Sequence, residues 1–278
     1  MNLRGCLFGA IGALAACGSN NNPVTVDAKD IDAPRQIDAK IFMDAPPPMY
    51  DLTCFGVTPP TTADATVTVS GTTETFNQSG MLQAVTSVVL DTYKTGVVAP
   101  LNSVTSSATD GTFTTGTLVT GGTPLDAYAK TTKTGYRTTF LYPPSPITKS
   151  LTMVPVPIIS TALWTFAASA LPPPAQDDTN NGVLFVTVAD CALTPITSGA
   201  TLSVKQNNAN VGQINDLGAL LPAAAGIYLV TNVPDGATSI SAVYNGMNFP
   251  AHTVLAHKQP NGMNTVGTLT VSAVKPGP

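Results

Sequence analysis

The scarcity of charged side chains limits what this chain can fold into more than any other feature of its sequence. Of 278 residues, 12 are Lys or Arg and 16 are Asp or Glu, and Glu74 is the one glutamate beside 41 threonines. Long amphipathic helices need Glu, Lys and Arg on their solvent-facing side, so helix bundles and coiled coils are excluded. Thr, Val, Gly and Pro in these proportions predict a mainly β protein of short strands and turns. The formal net charge of −4 provides no electrostatic basis for binding nucleic acid.

The N-terminus has the pattern of a secretory signal peptide. Arg4 is followed by an apolar run at 5–16, which is shorter than the roughly 20 residues that a membrane-spanning helix needs. Residues 14–18, Leu-Ala-Ala-Cys-Gly, resemble the lipobox of bacterial lipoproteins. This resemblance implies that Cys17 is acylated, with palmitate among its acyl chains, and that the protein is anchored to a lipid bilayer of the bacterial cell envelope, with the outer membrane expected. The alternative is an ordinary A-x-A cleavage site at 13–15, which would release a secreted protein.

Residues 18–51 are richer in charge than the rest of the chain. Asp-Ala pairs recur from positions 27, 32, 38 and 44, and three prolines follow at 46–48. Because no apolar face repeats at the period of a helix or a strand, we expect a disordered, solvated tether. A calcium loop needs a glycine turn, and this segment has no glycine after Gly18, so a calcium site is disfavoured. Such tethers after a lipobox resemble those of lipoproteins from myxobacteria and related bacteria.

The first part of the body alternates apolar and polar residues, as short strands do. A period-2 strand begins at Thr66, the sequence Asp-Gly-Thr-Phe at 110–113 predicts a turn that leads into a strand, and a Gly-Tyr pair stands at 135–136. These motifs resemble the carboxypeptidase regulatory-like domain, a small prealbumin-like β-sandwich, over residues 64–144. The middle strand at 83–89 departs from that family's pattern. The resemblance carries over no catalytic residue, because a carboxypeptidase's zinc site belongs to its catalytic domain.

A second β unit follows a proline-rich connector. Residues 183–188 form an almost continuous apolar run, which predicts a central strand, and the pattern from Gly199 to Phe249 again resembles a regulatory-like sandwich. In the connector, residues 158–170 carry apolar side chains at steps of three and four, which predicts one short helix.

Two aromatic residues have two possible roles each. Trp164, the single tryptophan, either marks a binding surface or packs the short helix against a domain. Tyr136 is either a platform for a ligand or an aromatic cap on the sandwich core. For both residues the packing role is favoured.

The sequence thus predicts a mainly β protein with two tandem small β-sandwich domains and one short connecting helix, after a disordered N-terminal tether. The expected segments are a signal peptide at 1–16, the acylated cysteine and tether at 17–60, the first sandwich at 61–147, the connector at 148–180 and the second sandwich at 181–278.

Two cysteines remain in the body once Cys6 is removed with the signal and Cys17 is acylated. Thiols of exported proteins are usually paired, so Cys54 and Cys191 are expected to form a disulfide that fastens the end of the tether to the second domain. The alternative is two separate buried thiols.

No catalytic constellation emerges from the sequence. His252 and His257, five residues apart, lie on opposite faces of a strand and have no neighbouring Glu or Cys that would complete a zinc site. No G-x-S-x-G motif occurs, and Asp177 and Asp178 lie in a polar linker. No metal, cofactor or catalytic residue is therefore predicted. The expected function is a non-enzymatic envelope lipoprotein whose sandwiches bind or space a protein or carbohydrate partner, and the alternative is an envelope hydrolase with an unrecognised site.

Overall fold

The fold is mainly β, as the composition predicted, with one α-helix in the part of the chain that the structure describes. A computed structural model describes residues 49–76, 82–171, 181–219, 224–258 and 267–278. The signal peptide, Cys17, most of the tether and the Asp177–Asp178 pair lie outside the described residues. Pro48–Pro278 forms one compact unit.

Strands follow one another along the chain with short connections. The first half of the body contains β1 (Thr66–Val67), β2 (Val69–Phe76), β3 (Leu82–Ala84), β4 (Val89–Lys94), β5 (Asn102–Thr105), β6 (Thr112–Thr114), β7 (Leu118–Val119), β8 (Ala127–Thr132), β9 (Thr138–Tyr142) and β10 (Leu151–Pro157). The helix α1 (Thr161–Ala170) follows. The second half contains β11 (Asn181–Val188), β12 (Ala200–Gln206), β13 (Ala209–Asn210), β14 (Gln213–Asp216), β15 (Ile227–Pro234), β16 (Gly236–Tyr244), β17 (Met247–Asn248), β18 (His252–Ala256) and β19 (Thr268–Val274), with a 3₁₀ helix at Leu217–Ala219.

An eight-stranded sheet in the order β14-β15-β11-β19-β9-β8-β4-β5 forms the centre of the molecule. Its strands come from both predicted sandwiches, because β9 of the first half pairs in parallel with β19 of the second half, over Thr138–Tyr142 and Thr268–Ser272. The two halves are therefore joined by a continuous row of backbone hydrogen bonds across the sheet.

The two faces of this central sheet are covered by different layers. Because successive residues of a strand point to opposite faces, Leu184 and Phe185 belong to different cores. Leu184 packs with Leu202 and Ile240 of a five-stranded sheet formed by β12, β13, β16, β17 and β18. Phe185 lies on the other face, in a core with Trp164 of α1. On that same second face, Leu90 packs against Val156 of the four-stranded sheet of β2, β3, β6 and β10.

The turn that carried the sequence resemblance has the expected local structure. Gly111 has a φ of +71°, a conformation that favours glycine. The Asp110 carboxylate accepts hydrogen bonds from the backbone N–H and the hydroxyl of Thr112, at 3.1 and 2.8 Å, and Phe113 is buried in the core of the first half. Tyr136 packs partly buried against the same core, as its capping role predicted.

Helix α1 begins three residues later than the apolar pattern predicted. Ser160 caps it, since its hydroxyl accepts a hydrogen bond from the Leu163 N–H at 3.2 Å. Trp164 is 4% exposed and packs with Leu269 and Val271, and the guanidinium of Arg137 lies 4.2 Å from the centre of its ring. Trp164 therefore fastens the helix to the central sheet, and it is not a surface for binding.

Candidate functional site

A short segment at 50–57, which we call the N-terminal strap, joins the start of the described chain to the centre of the fold. The Asp51 carbonyl accepts a hydrogen bond from the Cys191 N–H at 2.8 Å. The Tyr50 hydroxyl accepts one from the Thr197 N–H at 2.9 Å, and the Tyr50 ring meets the ring of Tyr244 edge-on at 5.6 Å. The chain is thus bound to the body before residue 60, where the tether was expected to end.

Asp190 of the body binds the strap through its side chain. Asp190 is 4% exposed and lies two residues after the end of β11. It accepts backbone hydrogen bonds from Asp51 at 3.0 Å, from Ala192 at 2.9 Å and from Thr194 at 2.8 Å. A buried carboxylate needs such donors because its desolvation is costly. Asp190 therefore holds both the strap and the turn that carries Cys191.

Cys54 and Cys191, the pair expected from the cysteine count, are joined by a disulfide in the structure, with their Cα atoms 5.8 Å apart and 137 positions between them in sequence. The C-terminal residues reach the same place, since a Cβ on Gly277 would clash with the Cys54 carbonyl oxygen. The strap, the end of β11 and the C-terminal residues thus meet at one end of the central sheet.

The two histidines lie at the boundary between the halves of the molecule. The His257 ring stacks on Phe140 of β9, with centroids 3.6 Å apart, and its Nε2 lies 3.5 Å from the Tyr142 hydroxyl. Burial lowers the pKa of His257 to about 4, a shift that Asp235 opposes and Lys130 supports. Burial raises the pKa of Tyr142 above its ordinary value, so both groups are neutral near pH 7.

His252, in β18, turns its ring nitrogen into the protein. Its Nε2 is buried without a hydrogen-bond partner, and burial lowers its pKa. Within the described residues, no group of three or more His, Cys, Asp or Glu side chains could hold a metal ion. The described contacts of the two histidines thus resemble packing more than the nucleophile–base geometry of a hydrolase.

A row of stacked tyrosines crosses the first half of the central sheet, and the sequence did not point to it. Tyr93 of β4 stacks on Tyr128 of β8, with centroids 5.3 Å apart, and Tyr128 stacks on Tyr142 of β9 at 4.9 Å. Tyr93 and Tyr128 are cross-strand neighbours in the register of β4 and β8. The tyrosines are far apart in sequence, so their stacking could have been predicted only by pairing these strands in the correct register. Tyr93 and Tyr128 are partly exposed, and they present rings and hydroxyls that could contact a ligand.

No helix in the described ranges is long and apolar enough to cross a membrane. The residues predicted to attach the protein to a bilayer, Cys17 and the segment before it, lie outside those ranges.

Comparisons with known proteins find remote similarity to solved structures. No protein-family model matches the chain, and no curated protein matches it. The similar structures include the TIE protein of Bacillus anthracis, with a TM-score of 0.24 and 12% identity over 75% of this chain. They also include a streptococcal ancillary pilin, with a TM-score of 0.23 and 11% identity over 76% of this chain, and the minor pilin GBS52 of Streptococcus agalactiae, with a TM-score of 0.23 and 8% identity over 76%.

The chain spans 34% of the Bacillus anthracis structure, 62% of the ancillary pilin and 97% of GBS52. TM-scores this low carry no argument about function.

Proposed function

We propose that this protein is a non-enzymatic lipoprotein of the bacterial cell envelope, whose β body binds or spaces a protein or carbohydrate partner away from a lipid bilayer. The observation that carries the proposal is the junction at Cys54 and Cys191. A tether that leads from an acylated Cys17 would there be fastened to β11, which lies inside the central sheet between β15 and β19. Any pull on the anchor would thus reach an interior strand rather than a loose terminus.

The composition of the body suits a binding or spacer role. The partly exposed ring of Tyr93, at the outer end of the row, can stack on a sugar, and the Tyr93 and Tyr128 hydroxyls can donate to a peptide without any charged group. The contacts of the two described histidines favour a packing role, because one is stacked on Phe140 and the other is turned into the protein.

The lipid anchor is tested by the mass of the N-terminal peptide. Protein from the membrane fraction is digested with trypsin, and the peptide from Cys17 to Lys29 is expected to carry the added mass of acyl chains. A Cys17→Ala protein should yield no acylated peptide. A native protein whose N-terminus begins at Cys17 or earlier without acyl mass would contradict the anchor.

The hydrolase alternative is tested at the two histidines. His257→Phe keeps an aromatic ring against Phe140 but removes the base, and His252→Gln removes the other base at similar size. We expect both variants to retain the binding of the native protein, measured on a glycan array and by pull-down. A hydrolytic activity of the native protein that either variant abolishes, with an unchanged melting temperature, would favour the enzyme.

The tyrosine row is tested in the same assays. Tyr93→Ala removes the outer ring of the row, and Tyr50→Phe at the strap removes a hydroxyl without removing a ring and serves as the control. We expect Tyr93→Ala to weaken ligand binding by roughly fivefold, since stacking on one aromatic ring contributes about 1 kcal/mol. Equal binding by both variants would remove the tyrosine row from the proposed site.

A further inference from the structure

Large apolar side chains are exposed together at one end of the central sheet. The strap contributes Met49, at its N-terminal border, and Phe55, and the turn after β11 contributes Leu193. The loop between β4 and β5 contributes Val97, Val98 and Leu101. Met49 is 99% and Val98 is 94% exposed. We call this set the apolar rim.

The strand register shows that these segments share one end of the sheet. Lys94, the last residue of β4, pairs with Ala127, the first residue of β8, and β8 runs antiparallel to β9. The end of β9 pairs in parallel with β19, where Tyr142 meets Ser272. The end of β19 pairs in parallel with β11, where Val274 meets Val188. The β4–β5 loop therefore lies at the same end as the turn after β11.

The distance across the rim is set by the sheet. Three strands, β8, β9 and β19, lie between β4 and β11. At a spacing of about 4.8 Å between strands, the loop and the disulfide are about 19 Å apart along the sheet. Backbone hydrogen bonds also link loops at this end of the sheet. The Thr95 N–H of the β4–β5 loop donates to the Asp126 carbonyl, and the Ala63 N–H donates to the Gly122 carbonyl.

The position of the rim suggests what covers it. The described chain begins at residue 49, within the rim, and 48 residues precede it in the sequence. An anchor on Cys17 would hold this end nearest to the bilayer. The charged side chains near the rim are Lys94 and the half-buried Lys275, the exposed Asp51 and Asp126, and the buried Asp190, and a lipid surface without net charge neither attracts nor repels them.

We propose that the apolar rim is a lipid-contact surface, which inserts the β4–β5 loop into the interface of the bilayer and holds this end of the body against it. This inference rests on the proposed lipid anchor, because the anchor would keep the rim at the bilayer, whereas the rim by itself binds vesicles measurably but reversibly. Val97, Val98 and Leu101 are the side chains that enter the lipid, and Phe55 and Leu193 rest at the interface.

The test uses the processed chain, residues 17–278, made as Cys17→Ala so that it carries no acyl chain. Flotation with neutral phosphatidylcholine vesicles measures its partition constant. The rim variant carries Val97→Ser, Val98→Ser and Leu101→Ser. The matched control carries three changes at apolar residues exposed away from the rim, Leu82→Ser, Val89→Ser and Ile214→Ser.

We expect the Cys17→Ala protein to float with vesicles, the rim variant to partition at least tenfold less, and the control to stay within twofold. Each CH₂ group moved into lipid changes the partition constant by about fourfold, so three shortened side chains suffice for this difference. Unchanged melting temperatures establish that both variants are folded.

Three results would overturn the inference. The first is an absence of vesicle binding by the Cys17→Ala protein, and the second is equal binding by the rim variant. The third is a concentration-dependent dimer that the rim variant abolishes, because the rim would then join two copies of the chain. The acyl mass on the peptide from Cys17 to Lys29 is measured separately. The proposed lipid anchor can therefore be supported even when the vesicle experiment contradicts the lipid-contact role of the rim.

Discussion

At the scale of single residues, His257 couples the charge of one side chain to the folding of the whole body. It stacks on Phe140 and reaches the Tyr142 hydroxyl, which belong to β9 in the first half, whereas His257 follows β18 in the second. Burial holds its pKa at about 4, below the ordinary value of 6.5. The unfolded chain therefore binds a proton at this site at a higher pH than the folded chain does.

This difference predicts a loss of stability as the pH falls from about 6.5 to about 4. The contribution of the neutral ring is fully present above pH 6.5, is lost progressively through that window, and stops changing below the folded pKa. Allowing for the partial exposure of the ring, we expect the free energy of unfolding to fall by about 2–3 kcal/mol. Chemical denaturation at pH 7.5 and pH 4.5 measures it.

The control for the pH prediction is His257→Phe, which keeps the stacked ring and removes the titrating group. Its stability should change less than that of the native protein between the two pH values. His252, whose pKa is also lowered by burial, contributes a change of the same sign in both proteins. An identical pH dependence in the native protein and the variant would contradict the assignment to His257.

At the scale of elements, α1 shows how a local signal sets the limits of a helix while tertiary contacts stabilise it. The apolar steps at 158–170 predicted a helix from Ile158, but Ile158 is buried with the four-stranded sheet and Ser160 caps the helix that follows. A ten-residue helix is marginal in water by itself, so α1 depends on what its apolar face covers.

Trp164 is the side chain on which that docking depends, so its removal should destabilise the protein strongly. Trp164→Ala leaves a cavity against Leu269 and Val271 and takes the ring away from Arg137. We expect a loss of about 3–5 kcal/mol in the free energy of unfolding, measured by denaturant titration. Thr165→Ala, at an exposed position of the same helix, should cost less than 1 kcal/mol. Similar losses for the two variants would mean that α1 is not held by Trp164.

Among the strands, the sequence predicted a local turn but not the contacts between strands. The Asp-Gly turn before β6 was visible because Gly111 and Asp110 act through neighbouring atoms, and its hydrogen bonds span two residues. The tyrosine row was not visible, because Tyr93, Tyr128 and Tyr142 meet only after β4, β8 and β9 have paired in one register.

At the scale of the whole molecule, the disulfide closes a loop that contains the first half, α1 and β11. Its two cysteines are 137 positions apart, so the unfolded chain loses much conformational freedom when the bond is present. Reduction, or the double change Cys54→Ser and Cys191→Ser, should lower the free energy of unfolding by about 4–5 kcal/mol in the chain-entropy model. Denaturant titration with and without reductant measures this difference.

The same pair can be checked chemically. Alkylation of the unfolded protein without reductant should leave Cys54 and Cys191 unmodified, and alkylation after reduction should add two labels to the body by mass. The control is the double serine variant, whose stability should be insensitive to reductant. Two labels on the native body without reductant would show that the thiols are free.

The sequence alone determined the class of the fold, because a chain with one glutamate and 41 threonines cannot cover long helices with charge but can build short strands. It also determined the local turn at Asp110–Gly111, and it made a bond between Cys54 and Cys191 the expectation, with two separate thiols as the alternative. The tertiary structure decided how the halves meet, through β9 and β19, and which side chains share a surface. Those contacts join residues more than 100 positions apart, and their energies depend on a register that no local pattern contains.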